Sequence, residues 1–174
     1  MVRATMQNAF TSRISRPPHY LMKVLTWNCR RVSSTEFIPT ARSLLARYNP
    51  QVFVVLDTRI QAERAAPIIR RLQFDGSAVS SSIGLAGGMW VLWKNDLVTV
   101  HQLHASSRTI HVEVSLRGGI EPFLMSAIHN HPQHHMQNQL WSELCSIASS
   151  IDMQWVVLGD FNNISHPHEK IGGN

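Results

Sequence analysis

The sequence has few cysteines and no long apolar run, and both shortages exclude whole classes of protein. Its 174 residues include two cysteines, Cys29 and Cys145, which lie far apart and show no metal-type spacing. No disulfide partner is therefore expected, and an intracellular location, nuclear or cytoplasmic, is favoured over a secreted one. A membrane helix needs roughly 18 consecutive apolar residues. Because no segment reaches that length, the sequence predicts no membrane partner.

Acidic residues are also scarce, with 11 Asp and Glu against 16 Lys and Arg, and the formal net charge is +5. A basic chain attracts polyanions such as nucleic acid, although scattered positive charges also fit an ordinary solvated surface. The first acid is Glu36. Residues 1–20 contain Arg, Ser and Thr in proportions shared by organelle transit peptides and disordered tails. We favour a disordered tail, which leaves 21–174 as a single domain.

Apolar periodicity predicts many short strands and three helices. The central strands alternate in a way that favours antiparallel pairing, and the order of elements does not repeat a regular strand–helix unit. This order predicts two sheets packed face to face with helices outside them. The predicted helices are 35–48, 61–72 (with Pro67 early in it or kinking it) and 137–150; the predicted strands are 21–27, 51–56, 74–80, 89–93, 98–104, 109–116, 122–128 and 155–158, with a turn or flexible loop at 84–88.

Three of the apolar strands, predicted to be buried, are followed by polar residues that could serve chemistry: Asn28, Asp57 and Asp160. In open α/β sheets, functional sites form at the carboxyl ends of strands, so the coincidence favours a site. Asp160 and Asn162 lie two positions apart and can together hold a cation or a water beside a phosphate. The same Gly-Asp-Phe-Asn sequence is also typical of a turn, because Asp and Asn bond their own backbone.

Five stretches carry a resemblance to a known family. They are VLTWNCR at 24–30, PQVFVVLDTR at 50–59, GGMWVLWK at 87–94, WVVLGDFN at 155–162 and EKIGG at 169–173. With them the chain resembles the endonuclease/exonuclease/phosphatase superfamily from about Met22 to its last residue. More narrowly, it is similar to the endonuclease domain of plant LINE-type (non-LTR) retrotransposons. The Trp-Asn-Cys-Arg and Gly-Asp-Phe-Asn motifs at this separation are specific, whereas either alone would be weak.

The resemblance implies a four-layer α/β sandwich, with two mostly antiparallel sheets flanked by helices, that hydrolyses phosphodiesters of nucleic acid, DNA first. It implies a divalent metal, usually Mg²⁺ with Mn²⁺ as an alternative. Asn28 and Asp57 would then hold the metal, and Asp160 would orient the attacking water. Asn162 would steady the phosphate, and His129 would contact it. Arg30 and Arg31, next to Asn28 and Cys29 in the sequence, either bind substrate phosphates or form a solvated pair.

Three departures from the family pattern predict weak or lost activity. Asp57 stands where the family has Glu, and its shorter side chain falls about 1.5 Å short. His129 replaces a Tyr. The family closes with a Ser-Asp-His segment that this sequence does not reach, so we expect a sandwich incomplete at its carboxyl end. His166 and His168 are not expected to replace it. A catalytically inactive remnant, or a binding module, is therefore the alternative.

A histidine cluster supports a more distant alternative. His129, His131 and His134 have spacing similar to the zinc motif of metallo-β-lactamase-like hydrolases, and imidazoles suit Zn²⁺. That family has an acid directly before the last histidine, where this sequence has Gln133. A polar loop that is rich in histidine by chance is the competing interpretation.

Overall fold

A computed structural model describes residues 22–84, 86–117 and 121–162, with only the backbone of His134. The predicted tail, residues 1–20, lies outside the described residues, as do His166 and His168. The elements in chain order are β1 (Val24–Asn28), α1 (Phe37–Tyr48), β2 (Val52–Leu56), a 3₁₀ turn (Ala62–Arg64), α2 (Ala66–Ile69), a second 3₁₀ turn (Arg70–Leu72), β3 (Gly76–Ile83), β4 (Ala86–Trp93), β5 (Val98–Ala105), β6 (Thr109–Leu116), β7 (Phe123–His129), a third 3₁₀ turn (His134–Met136), α3 (Asn138–Ser150) and β8 (Trp155–Asp160).

The described strands form two four-stranded sheets. The first has the order β1-β2-β4-β3 and the second the order β5-β6-β7-β8. β1 pairs with β2 and β7 pairs with β8 in parallel, and the other neighbours are antiparallel. The predicted α/β sandwich with mostly antiparallel sheets is confirmed.

The apolar core of the described residues consists of three clusters, and strand β2 contributes to two of them. Its five consecutive apolar residues are all buried, which requires a covering on both faces of the strand. Val52, Val54 and Leu56 pack against the second sheet, whereas Phe53 and Val55 pack against the helices outside the first sheet. On the far side, α3 covers the second sheet. The order of layers is therefore α1 with α2, first sheet, second sheet, α3.

Two local predictions are corrected. The helix predicted at 61–72 is instead two 3₁₀ turns on either side of the four-residue α2. Pro67 lies in the first turn of α2, where its missing N–H costs least, so it starts a new helix instead of kinking a long one. The loop predicted at 84–88 is largely strand, because Ala86 pairs with Ile83 and Gly87 with Ser82.

The strand before the Gly-Asp-Phe-Asn motif is less buried than predicted. Val156 of β8 is 45% exposed. Within the described residues, β8 has only β7 as a neighbour and lies at the edge of its sheet. An apolar run alone does not distinguish a central strand from an edge strand. None of the described helices has the length and apolar character that crossing a membrane requires.

Candidate active site

The carboxyl ends of four strands meet at one rim of the sandwich. β1 and β2 run parallel and end together at Asn28 and Leu56, and β7 and β8 run parallel and end together at His129 and Asp160. The Asn28 Nδ2 donates a 2.8 Å hydrogen bond to the Asp160 Oδ2. This bond joins the two sheets across the gap between them. Two of the three polar residues predicted at strand ends are therefore in direct contact.

Asp160 is held from its own turn as well. Asn162, with a left-handed φ of 47°, donates its backbone N–H to the Asp160 Oδ1 at 3.0 Å. The Asn162 Nδ2 donates to the Asn130 carbonyl at 2.6 Å, and the Asn130 N–H donates to the Asp160 carbonyl at 2.8 Å. The motif is thus a turn of the Asx type and also a group of convergent side chains. The two interpretations of its sequence do not exclude each other.

Asp57, directly after β2, is 5% exposed and fully engaged. Its Oδ2 accepts hydrogen bonds from the Arg59 Nη2 at 2.8 Å and Nε at 3.0 Å. Its Oδ1 accepts one from the Gly87 backbone N–H at 3.1 Å. Each carboxylate oxygen is therefore occupied by a donor of the chain itself, which the sequence analysis did not anticipate.

His129 ends β7 beside these groups and is 8% exposed. Its Nδ1 is buried and has no hydrogen-bond partner among the described residues. Burial lowers the pKa of His129, and the nearby carboxylates Asp57 and Asp160 oppose that shift. The imidazole is therefore held preferentially in its neutral form.

Arg108 was missed by the sequence analysis. It lies just before β6, and its Nη1 donates to the carbonyls of His129 and Asn130, each at 3.3 Å. Burial lowers the pKa of Arg108, against the opposing effect of Asp57. The only signal in the sequence was a lone Arg at the start of a strand, in the polar stretch Ser-Ser-Arg-Thr.

Gln137 was missed too: its Nε2 donates to the carbonyls of His131 and Asn162.

The flanking residues of β1 complete the rim. Arg30 and Arg31 are exposed, and the Arg30 N–H donates to the Asn28 Oδ1 at 3.2 Å. A role in substrate binding stays a prediction for both. Burial raises the pKa of the Cys29 thiol to about 12, so this cysteine is a neutral thiol at physiological pH.

Unusual backbone conformations concentrate at this rim. Non-glycine residues seldom adopt a positive φ, and such strain is most often kept at functional sites. Two of the described cases, Asn49 and Gln73, end helical segments, where the left-handed conformation is common. The other four described cases all belong to the rim: Arg30, Asp57, Arg59 and Asn162.

The metal ion implied by the family resemblance can be tested against these contacts. Mg²⁺ requires oxygen ligands that are free to face it. The Asp57 Oδ2 already accepts two Arg59 donors, so an ion at that oxygen would compete with the guanidinium, whereas Oδ1 accepts one bond, from the Gly87 N–H. In residues 22–84, 86–117 and 121–162, no three His, Cys, Asp or Glu side chains are grouped to hold a metal. With Arg59 on Oδ2, this arrangement does not fit a divalent ion held by both Asp57 oxygens, and the metal-binding roles of Asn28 and Asp57 stay predictions.

The histidine cluster lies on the loop after β7. The His131 Nδ1 accepts a 3.0 Å hydrogen bond from the Gln133 N–H, which is an ordinary loop contact. The side chain of His134 is outside the described part of the chain. The zinc alternative therefore stays a prediction.

Solved structures share this architecture. The catalytic domain of human nocturnin aligns with a TM-score of 0.58 at 13% identity, over 82% of this chain and 65% of that one. A humanized D. rerio TDP2 aligns with a TM-score of 0.61 at 17% identity, over 83% and 67%. The endonuclease domain of TRAS1, a telomere-specific non-LTR retrotransposon, aligns with a TM-score of 0.57 at 14% identity, over 83% and 61%. At such identities the likeness shows the fold, and this chain spans between 61% and 67% of their lengths.

Sequence comparison adds the family. No curated protein sequence matches the chain significantly. The model of the Endonuclease/Exonuclease/phosphatase family matches residues 25–172, which is most of the chain and includes every residue of the rim described above. The chain belongs to the Endonuclease/Exonuclease/phosphatase family.

Proposed function

We propose that this protein hydrolyses phosphodiester bonds of nucleic acid, slowly, at the rim where Asn28 meets Asp160. The observation that carries the proposal is the 2.8 Å hydrogen bond between these two side chains, which joins the two sheets. It holds a carboxylate at the carboxyl ends of two parallel strand pairs, in a family of phosphoester hydrolases. The Asn28 amide and the Asn162 backbone N–H both donate to that carboxylate.

Each group has a role that follows from its chemistry. The Asp160 carboxylate orients a water molecule and takes its proton as the water oxygen attacks phosphorus. The bond from phosphorus to the leaving oxygen then breaks, and that oxygen takes a proton from solvent. The Asn162 and Asn28 amides supply polar contacts to phosphate oxygens without adding negative charge. Arg59 and Arg108 offset the charge that builds on the phosphate. A divalent ion, if bound, would supply further neutralisation of the same charge.

The rate is expected to be low. Asp57 stands at the position where the family resemblance implies a metal-binding Glu; it is one methylene shorter than Glu and is bonded to Arg59 and Gly87. Both features of Asp57 predict turnover below that of family members with Glu at this position.

DNA is the substrate that we propose first. The net charge of +5 favours a polyanion. Among the similar structures, one is an endonuclease domain of a non-LTR retrotransposon, and D. rerio TDP2 was solved with a single-strand DNA product. The VLTWNCR and GDFN motifs support the narrower proposal that this is a LINE-type endonuclease domain of the plant kind.

A plasmid-nicking assay tests the proposal. Supercoiled plasmid is incubated with wild-type protein, with Asp160→Asn and with Asp96→Asn, each with Mg²⁺, with Mn²⁺ and with EDTA. Asp160→Asn keeps the shape of the side chain and removes the proton acceptor, so nicking should fall about 100-fold or more. Asp96 is an exposed acid in the turn after β4. Asp96→Asn is therefore the matched control and should nick like wild type.

The second candidate function is phosphate-ester binding without turnover. The pairing of Asp57 with Arg59 favours it, because a carboxylate neutralised by a guanidinium repels a bound anion less. Equal background nicking by wild type and Asp160→Asn, together with salt-sensitive binding of a labelled oligonucleotide, would establish this second function and refute the first.

A further inference from the structure

The contact between Asp57 and Arg59 has a consequence for the kind of cation that the site uses. Two Arg59 nitrogens, Nε and Nη2, donate to one oxygen of a carboxylate that is almost fully buried. A buried carboxylate needs a partner, and removing one member of such a pair leaves an uncompensated charge. A cation that bound the Asp57 Oδ2 would first have to displace the guanidinium.

The backbone is built to hold this pair. Asp57 and Arg59 both have left-handed φ angles, of 57° and 58°. Between them, Thr58 donates its N–H to the Gly88 carbonyl at 3.0 Å, and Arg59 donates its own to the Gly87 carbonyl at 2.9 Å. Two strained residues within three positions are kept only where surrounding contacts fix them. The glycines of β4 supply those contacts.

Gly88 shows how closely the two segments approach. A Cβ at Gly88 would press against the Thr58 hydroxyl, and Gly88 itself has a φ of +77°. A larger residue at this position would push the 57–59 segment away from β4 and loosen the ion pair. The sequence of β4 and the sequence after β2 therefore act together to position the Arg59 guanidinium.

The Arg59 guanidinium is available to a ligand. Its side chain is 35% exposed. Apart from the bonds to Asp57, the guanidinium makes no hydrogen bond with residues in the described ranges. A guanidinium keeps its charge at any physiological pH. A guanidinium has five donors in a planar fork, which matches the oxygens of a phosphate.

A second cation, Arg108, and the imidazole of His129 belong to the same rim. The charges of Arg59, Arg108, Asp57 and Asp160 all act on His129. His129 also keeps a buried Nδ1 that has no partner within the described part of the chain. The two guanidinium groups balance the two carboxylates, so an anion in this space is not opposed by a net negative charge.

We propose that Arg59, tethered by Asp57, is the resident cation of this site and binds a phosphate group directly, in place of a divalent metal. Asp57 is then a positioning residue for Arg59. This role specifies how the proposed site holds a phosphate group. It rests on the proposed function only in taking that phosphate to be part of a nucleic acid.

Two binding measurements without turnover test the inference. The first is calorimetric titration of inorganic phosphate into the protein in EDTA. The second is titration of Mn²⁺, with the free ion followed by electron paramagnetic resonance. The variants are Arg59→Met and, as the matched control, Arg117→Met, an exposed arginine just past the opposite end of β6 from Arg108.

Wild type should bind phosphate in EDTA and show no saturable Mn²⁺ site. Arg59→Met should bind phosphate about tenfold more weakly or worse, because charge-assisted hydrogen bonds are lost. The same variant frees the Asp57 carboxylate and should gain saturable Mn²⁺ binding. Arg117→Met should match wild type in both titrations. Saturable Mn²⁺ binding by wild type that Arg59→Met does not strengthen, or phosphate binding that Arg59→Met leaves unchanged, would overturn the inference.

A second variant controls for loss of folding in Arg59→Met. If Arg59→Met leaves Asp57 unpaired and the protein unfolds, the double variant Asp57→Asn with Arg59→Met removes both charges at once. Phosphate binding in EDTA should be lost in the double variant, and its retention would refute the role of Arg59. Because neither titration depends on hydrolysis, an inactive protein in the nicking assay leaves both results interpretable.

Discussion

Gly159→Ala should destabilise the protein and separate Asp160 from Asn28. Gly159 has a φ of +144°, and an added Cβ would overlap the Ile128 carbonyl oxygen on the paired strand β7. The unfavourable backbone conformation costs about 1–3 kcal/mol. Forcing a methyl group against packed backbone costs about 1–3 kcal/mol more. The total of roughly 2–6 kcal/mol is a large share of the stability of a typical domain, which is about 5–15 kcal/mol.

Gly84→Ala separates the two contributions. Gly84 has a φ of +60°, and nothing lies within 4 Å of the Cβ that alanine would add. Only the backbone cost of about 1–3 kcal/mol applies to it. Urea unfolding followed by tryptophan fluorescence measures both variants against wild type. Equal losses in the two variants would contradict the steric argument at Gly159, and a loss below about 1 kcal/mol in Gly159→Ala would refute the reasoning as a whole.

Three further predictions concern buried groups. Iodoacetamide at pH 8 should label the exposed Cys145 first and should label Cys29 only in urea. The pKa of about 12 lowers the thiolate fraction of Cys29 roughly a thousandfold relative to an ordinary cysteine. Equal labelling of the two cysteines in the native protein would contradict this. Ser126→Ala leaves the buried His111 Nδ1 without its 2.6 Å partner and should cost about 1–3 kcal/mol in urea unfolding; a loss below about 0.5 kcal/mol would argue against it. Because burial lowers the pKa of His129, the unfolded chain binds its proton more readily than the folded one. Stability should therefore be complete above about pH 6.5 and fall below it, and His129→Gln should reduce that fall in urea midpoints measured between about pH 5 and 7.5.

The parts of the fold that follow from local pattern were predictable. The apolar run at 51–56 can be buried only if both faces of its strand are covered, and the structure covers both. The alternation over 98–116 favours antiparallel neighbours, and β5 and β6 pair in that way. The interrupted helix at 61–72 was predicted only in part. Periodicity reports which side of a segment is apolar, but not whether its backbone hydrogen bonds are α or 3₁₀.

The site was predictable as a set of strand ends, but its contacts were not. Asn28 and Asp160 are separated by 132 positions, so the bond between them exists only once the two sheets are packed. Asp57 was recognisable as a polar residue at the end of a strand, but no role was predicted for its partner Arg59. The local sequence does not indicate the direction of a side chain that follows a residue with a left-handed φ. Arg108 carried almost no signal of its own.

Residue types and their spacing were enough to assign the layers, the family and the strand ends that carry polar groups, because periodicity and short motifs are properties of neighbouring positions. The bond between Asn28 and Asp160, the pairing of Asp57 with Arg59 rather than with an ion, and the edge position of β8 depend on segments far apart in the chain. Packing and the backbone angles of single residues determine which atoms of such segments come into contact. Both are properties of the folded chain and not of neighbouring positions in the sequence.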